Sequence, residues 1–303
     1  MNMKNRYRKF TRKEFLRLTT GTFAMGIVGT RLIARTGADM PTRSLGRTGL
    51  QVTPVCFGTS RIQEPALIRM ALDKGINFFD TGRQYAGGQN EVMLGETLKG
   101  ARKDVVIQSK IRLRIRGNML SSQNADTHIT QQMQQSLEAS LQALQTDYID
   151  VMLLHSAPSI ELTYHEAVMA FFEDAKSSGK IRAHGYSVHN EEMPITEHAT
   201  RNPFYDVMMM PYNHRGGFVH SQNGRTSDWD QERLERYLKT LYNDGVGLIA
   251  MKTCSGGPHA LPGSNEPSYR DAVKWVLQKH FIHSTNIAMV TYEELEEDLE
   301  ALV

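Results

Sequence analysis

The sequence predicts an α/β protein, a (β/α)8 barrel of the TIM type whose lower end is closed by an N-terminal β-hairpin. Three observations lead to it. From Ser44 onward, eight short runs rich in Val, Ile, Leu and Met alternate with longer amphipathic stretches, the pattern of parallel strands joined by crossover helices. The runs are close to continuous in apolar residues, as strands buried on both faces require. The chain has 303 residues, enough for one large core, and a closed barrel of this kind takes about 250 residues.

The hairpin is expected over residues 43–53, with Arg47-Thr48-Gly49 as its turn. Barrel strands are expected at 55–59, 77–80, 105–111, 149–155, 181–188, 207–213, 246–253 and 286–290. Helices are expected at 65–74, 91–99, 129–144, 164–177, 192–199, 231–242 and 270–279, with a last one from Tyr292 to the terminus, because apolar residues recur there at three- and four-residue spacing. Glycine follows several of them, in Lys74-Gly75, Lys99-Gly100, Ser178-Gly179 and Asp244-Gly245, which suits a left-handed C-terminal cap. Two connections, 112–127 and 214–230, are longer than a barrel needs. Both follow strand ends, where loops shape substrate choice.

Residues 1–40 read as a leader and 41–303 as the barrel. Basic residues crowd the start, at Lys4, Arg6, Arg8, Lys9, Arg12, Lys13 and Arg17, and the only acid before Asp39 is Glu14. The weakly apolar run 18–30 is too short to span a bilayer, which takes about twenty residues, and Thr36-Gly37-Ala38 offers a small-residue cleavage site. Residues 11–17 resemble the twin-arginine export signal, with Lys13 where that signal has its second arginine. Export to the periplasm is the expectation; the alternative is a solvated basic tail on a cytoplasmic protein.

A net charge of +2 with both signs dispersed gives no field that would attract nucleic acid, so the expected partner is a small molecule. Cys56 and Cys254 lie in separate apolar segments without metal-ligand spacing and read as buried thiols. No metal site is expected, since His184, His189, His280 and His283 lack an accompanying carboxylate or cysteine pattern.

Chemistry concentrates at the C-terminal ends of the second, third and fourth strands, the face on which barrel enzymes work: Asp80 and Tyr85, Lys110, and His155. Reducing a carbonyl places negative charge on its oxygen as hydride arrives, and a proton must be delivered there. A free phenol, with a pKa of about 10, donates poorly at neutral pH. An ammonium about 4 Å away in a medium of effective dielectric about 20 is worth roughly 4 kcal/mol, enough to bring the Tyr85 phenol toward neutrality. Asp80 would keep Lys110 charged, and His155 would hold the carbonyl oxygen. Each residue also has a plain reading: a turn cap, a solvated strand end, a core histidine, a loop aromatic. Their coincidence on adjoining strand ends favours the chemical one.

The motifs around these residues resemble the aldo-keto reductase family over nearly everything from Arg43 to Val303. Leu45-Gly46-Arg47-Thr48-Gly49-Leu50 with Cys56-Phe57-Gly58-Thr59 is similar to the family's opening. Gly75-Ile76-Asn77-Phe78-Phe79-Asp80-Thr81, Tyr85, and Asn90-Glu91 with Leu94-Gly95 resemble its second-strand signature. Asp147-Tyr148-Ile149-Asp150-Val151-Met152-Leu153-Leu154-His155 resembles its histidine strand, and Gly179-Lys180-Ile181-Arg182 with Gly185-Tyr186-Ser187 its fifth. The resemblance implies that Asp80, Tyr85, Lys110 and His155 form a catalytic tetrad in an NAD(P)-dependent oxidoreductase acting on an aldehyde or ketone, a sugar carbonyl among the candidates.

By the same resemblance, Tyr212 in Pro211-Tyr212-Asn213 is expected to stack on a nicotinamide ring, with Ser187 and Asn190 as further contacts. Met209 stands where the family has glutamine, and Val188 where it has asparagine. Lys252 and the backbone of Gly256 and Gly257 are candidates for a pyrophosphate. The family implies NADP, yet from Phe281 to Val303 there is no Lys or Arg, and Glu293, Glu294, Glu296, Glu297, Asp298 and Glu300 make the last helix acidic. NADP and NAD therefore both stand as candidates. Rival readings are a non-catalytic ligand-binding barrel, motivated by Met209 and Val188, and an exported enzyme that keeps its cofactor tightly bound.

Overall fold

The computed structural model describes residues 40–115, 119–189, 192–219, 226–254 and 268–302. The leader expected at 1–40 lies outside the described residues except for Met40, as do Asn190, Gly256 and Gly257.

Two short strands, β1 (Arg43–Ser44) and β2 (Gln51–Val52), pair antiparallel around a turn at Gly46–Thr48. The barrel strands are β3 (Val55–Gly58), β4 (Phe78–Asp80), β5 (Val106–Ile111), β6 (Ile149–Leu154), β7 (Ile181–Ser187) and β8 (Val207–Pro211). A second hairpin, β9 (Gly217–Val219) with β10 (Thr226–Asp228), precedes β11 (Gly247–Met251) and β12 (Ser284–Ile287). Parallel pairing runs β3-β4-β5-β6-β7-β8-β11-β12 and closes from β12 back to β3, with helices in the crossovers. This is the expected (β/α)8 barrel. Among the described residues no helix is long and apolar enough to cross a membrane.

Period-two alternation divides the core. One set of side chains fills the barrel, including Cys56, Phe78, Val106, Val151, Leu153, Val207, Met209 and Ile249, and the hairpin's Leu45, Leu50 and Val52 join it. The other set packs against the helices. The hairpin seats against the start of β11: a Cβ on Gly46 would lie 2.4 Å from the Gly245 carbonyl oxygen. Arg47 fastens it by donating to Asp206 at 3.3 Å and to the carbonyl of Pro203 at 3.0 Å. These contacts lie at strand beginnings, so the hairpin closes the lower end and the C-terminal ends of the strands form the opposite face.

Boundaries differ from expectation where polar residues are buried. β12 begins at Ser284 rather than Asn286, because Ser284 donates its hydroxyl to the Thr53 carbonyl at 2.9 Å and Thr285 shares a hydrogen bond with Thr253. Satisfied hydroxyls can enter a core that their polarity seems to forbid. The helix expected from Tyr164 starts at Glu166, after a separate short turn of helix, Ile160–Thr163. Connection 214–230 contains the second hairpin. Gly75, Gly179 and Gly245 take positive φ as expected, but Gly100 does not, since a 3-10 turn, Lys99–Ala101, continues the helix before it.

Candidate active site

Asp80 ends β4 beneath the mouth, and Lys110 lies one strand over on β5, each only 1 % exposed. The Lys110 ammonium donates to both Asp80 oxygens, at 2.5 and 2.6 Å, and to the Thr81 carbonyl at 2.8 Å. Its remaining contact is the Tyr85 hydroxyl, at 3.1 Å. Tyr85 reaches it because the chain folds back after β4. The Tyr85 amide donates to the Gly82 carbonyl at 2.9 Å, and Ala86 and Gly87 follow with φ of 48° and 62°. Non-glycine backbone in this region is strained, and such strain concentrates at functional sites. The loop is anchored below by buried Glu91, which accepts from Ser109 at 2.6 Å and pairs with Arg83 at 2.6 Å.

His155 follows β6 with its ring centroid 5.7 Å from that of Tyr85, nearly edge-on at 87°. Burial chiefly, then the positive charges of Lys110, His189 and Arg112, lowers its pKa to about 2. The imidazole is therefore neutral and can donate one N–H to an oxygen without surrendering a proton. Ser156, next in sequence, has φ of 53°. The structure thus brings Asp80, Tyr85, Lys110 and His155 together.

The sequence profile of the Aldo/keto reductase family matches residues 55–302. The chain belongs to the aldo/keto reductase family. Among sequence relatives, it is 35% identical over 163 residues to the 6-dehydroglucose reductase of Novosphingobium aromaticivorans, covering 48% of this chain and 50% of that protein. It is 34% identical over 184 residues to the aldo-keto reductase YhdN of Bacillus subtilis, covering 60% of this chain and 53% of that one. The chain spans about half the length of these curated relatives. The aldo-keto reductase AKR11C1 of Bacillus halodurans, in its holo form, superposes with a TM-score of 0.67 at 20% identity, covering 87% of this chain and 91% of that one. At that identity the likeness establishes the fold.

The cofactor half of this aldo/keto reductase corrects one expectation. Tyr212 is wholly buried on the outer side of the barrel; its hydroxyl donates to Glu235 at 2.6 Å, and its ring packs against Trp275, centroids 5.5 Å apart. The ring serves the helical layer and is not a platform for a nicotinamide. Alternation explains it: Val207 and Met209 fill the barrel, so Met208, Met210 and Tyr212 face out. Ser187 is buried, and its hydroxyl accepts from the Ser156 amide at 3.0 Å, holding the strained turn beside His155.

Lys252 follows β11 with φ of 56°, its ammonium 5.6 Å from the Phe218 ring centroid. Burial first, then the charge of Arg61, lowers its pKa, and among the described residues no carboxylate pairs with it. Sequence reasoning missed Gln108 and Asn286, whose amides also reach Asp80. The available signal for Gln108 was an amide at the same parity as Lys110, two residues before it on β5. Among the described residues no group of three or more His, Cys, Asp or Glu is placed to hold a metal.

Proposed function

We propose that this chain reduces an aldehyde or ketone, with Tyr85 as the proton donor and a nicotinamide dinucleotide as the reductant. The observation that carries the reading is the Tyr85 hydroxyl 3.1 Å from an ammonium that is itself paired with a buried carboxylate. Burial raises the Tyr85 pKa, Asp80 adds to the rise, and Lys110 opposes it without cancelling it. The phenol therefore holds its proton in the resting site, which a donor requires. Lys110, kept charged by Asp80 against the cost of burial, acts when the proton leaves, by stabilising the phenolate. Neutral His155 supplies a hydrogen bond that fixes the carbonyl oxygen near Tyr85.

When bound, the dinucleotide supplies the hydride. Lys252 suits it: a largely desolvated cation beside Arg61, without a carboxylate partner among the described residues, is what a pyrophosphate would neutralise. Nothing comparable serves a 2′-phosphate in the last helix, Tyr292–Glu300. One of its N-terminal amides, that of Glu294, donates to the Thr291 hydroxyl at 3.2 Å, and the Glu294 carboxylate folds over the helix start to accept from the Val290 amide at 2.6 Å. A phosphate there would displace a carboxylate and face acidic neighbours. These features support NADH over NADPH.

Fluorescence titration with each dinucleotide, followed by turnover of a panel of aldehydes, ketones and sugar carbonyls, tests the reading. We expect tighter binding of NADH, and in Tyr85→Phe a loss of carbonyl reduction of at least about a hundredfold with binding retained, the scale of a missing general acid. A protein that binds neither dinucleotide would be the non-catalytic barrel, and near-normal turnover in Tyr85→Phe would remove the assigned donor.

A further inference from the structure

We infer that Gln108 and Asn286 are positioning residues that grip the Asp80 carboxylate and, through it, set the Lys110 ammonium against Tyr85. The inference rests on the carbonyl-reduction reading and extends it to residues that touch no reacting atom.

Each Asp80 oxygen takes one charged and one neutral donor. Oδ1 accepts from Lys110 at 2.5 Å and from Gln108 Nε2 at 2.6 Å; Oδ2 accepts from Lys110 at 2.6 Å and from Asn286 Nδ2 at 2.9 Å. A carboxylate held by a lysine alone can turn about its own bond while the flexible ammonium follows. Two amides on different strands remove that freedom.

The amides come from two sides. Gln108 is the direct pairing partner of Asp80 between β4 and β5, two residues before Lys110 on the same face. Asn286 reaches from β12 past β3, where Gly58 pairs with Asp80 and Asn286 with Cys56. Gly58 leaves the lane open: a Cβ there would lie 2.6 Å from Asn286 Oδ1 and 3.0 Å from the Ile287 carbonyl oxygen.

Gln108 is fully buried and Asn286 partly so; the Gln108 amide also lies 3.5 Å from the Met209 sulfur, and among the described residues Gln108 Oε1 and Asn286 Oδ1 are buried without hydrogen-bond partners. Placing a primary amide in such an interior and leaving its oxygen unsatisfied is unfavourable. The hydrogen bond to Asp80 is the compensating interaction in both cases.

The test compares wild type, Gln108→Met, Asn286→Leu and Gln108→Glu, with Tyr85→Phe as the control for the reading itself. In Gln108→Met and Asn286→Leu we expect kcat for carbonyl reduction to fall about tenfold or more, with KM for the carbonyl and Kd for NADH within about twofold, because the loss is one of orientation at the reacting centre. Gln108→Glu gives a signature that a packing role would not. Its carboxyl can donate to Asp80 only while protonated, so kcat approaches wild type at low pH and falls along an added limb as pH rises. Unchanged kcat and pH profiles in these variants overturn the inference. Should Asn286→Leu fail to fold, Gln108→Met, matched in length and lying beside Met209, carries the test. A wild-type protein inert toward every carbonyl sinks the functional reading instead, and crystal structures then judge the clamp: an Asp80 carboxylate turned out of its wild-type plane in Gln108→Met supports it, and an unmoved one refutes it.

Discussion

Two buried carboxylates in this barrel have opposite surroundings. Asp80, at the mouth, accepts from an ammonium and two amides. Asp298, on the last helix, is 3 % exposed, has one oxygen without a partner, and is raised to a pKa of about 7 by burial first and then by Glu297 and Glu294. An interior charge persists where the fold supplies donors and is neutralised where it does not. The contrast separates the Asp80 cluster, whose carboxylate is met by buried donors, from the last helix, whose acids are met by cations only at the surface, Lys74 on Glu296 and Arg270 on Glu300.

The sharpest way to break that contrast is to strip Asp80 of its cation. In Lys110→Met the carboxylate is left buried without its charge partner, and we expect a loss of about 3–5 kcal/mol in urea unfolding together with carbonyl reduction too slow to measure. Replacing both partners, as Asp80→Leu with Lys110→Met, should recover much of the stability and none of the activity. If the single variant were as stable as wild type, the pair would not be the buried unit described.

A smaller effect probes the cofactor half. Lys252→Met keeps the length of the side chain and removes the cation beside Arg61. Dinucleotide Kd should rise about tenfold, equivalent to about 1.4 kcal/mol, with kcat at saturation nearly unchanged. Equal affinities in the two proteins would detach Lys252 from the cofactor.

The smallest effect concerns Asp298. Its carboxyl binds a proton more tightly folded, up to about pH 7, than unfolded, where the ordinary value is 3.8. Its contribution therefore favours the fold at low pH and is lost as pH rises through 7. Asp298→Asn removes the titration, so it should exceed wild type in stability by at least about 1 kcal/mol at about pH 8, a gain that vanishes toward about pH 4. A pH-independent difference would contradict the buried, donor-poor setting.

The cluster of Asp80, Tyr85, Lys110 and His155 was legible because each lies at or shortly after a strand end marked by its own motif, and strand ends on one face of a closed barrel must converge. Tyr212 was misplaced because motif position outweighed parity: with Met209 filling the barrel, a residue three further along faces the helices. β12 was placed two residues late because Ser284 and Thr285 look like loop residues until their hydroxyl partners are known. Gln108 drew no reading from the sequence, because its Asp80 partner lies on another strand, although an amide at the parity of Lys110 was the clue.

What the sequence determined unaided was the barrel and the gathering of Asp80, Tyr85, Lys110 and His155, since periodicity and order along the chain set the strands and the strands set the face. Tertiary structure alone decided the sign of the Tyr85 shift, the outward turn of Tyr212 and the amide grip on Asp80. Each of these is a balance among groups far apart in the chain, and desolvation, charge and hydrogen bonding can be weighed only once distances are known.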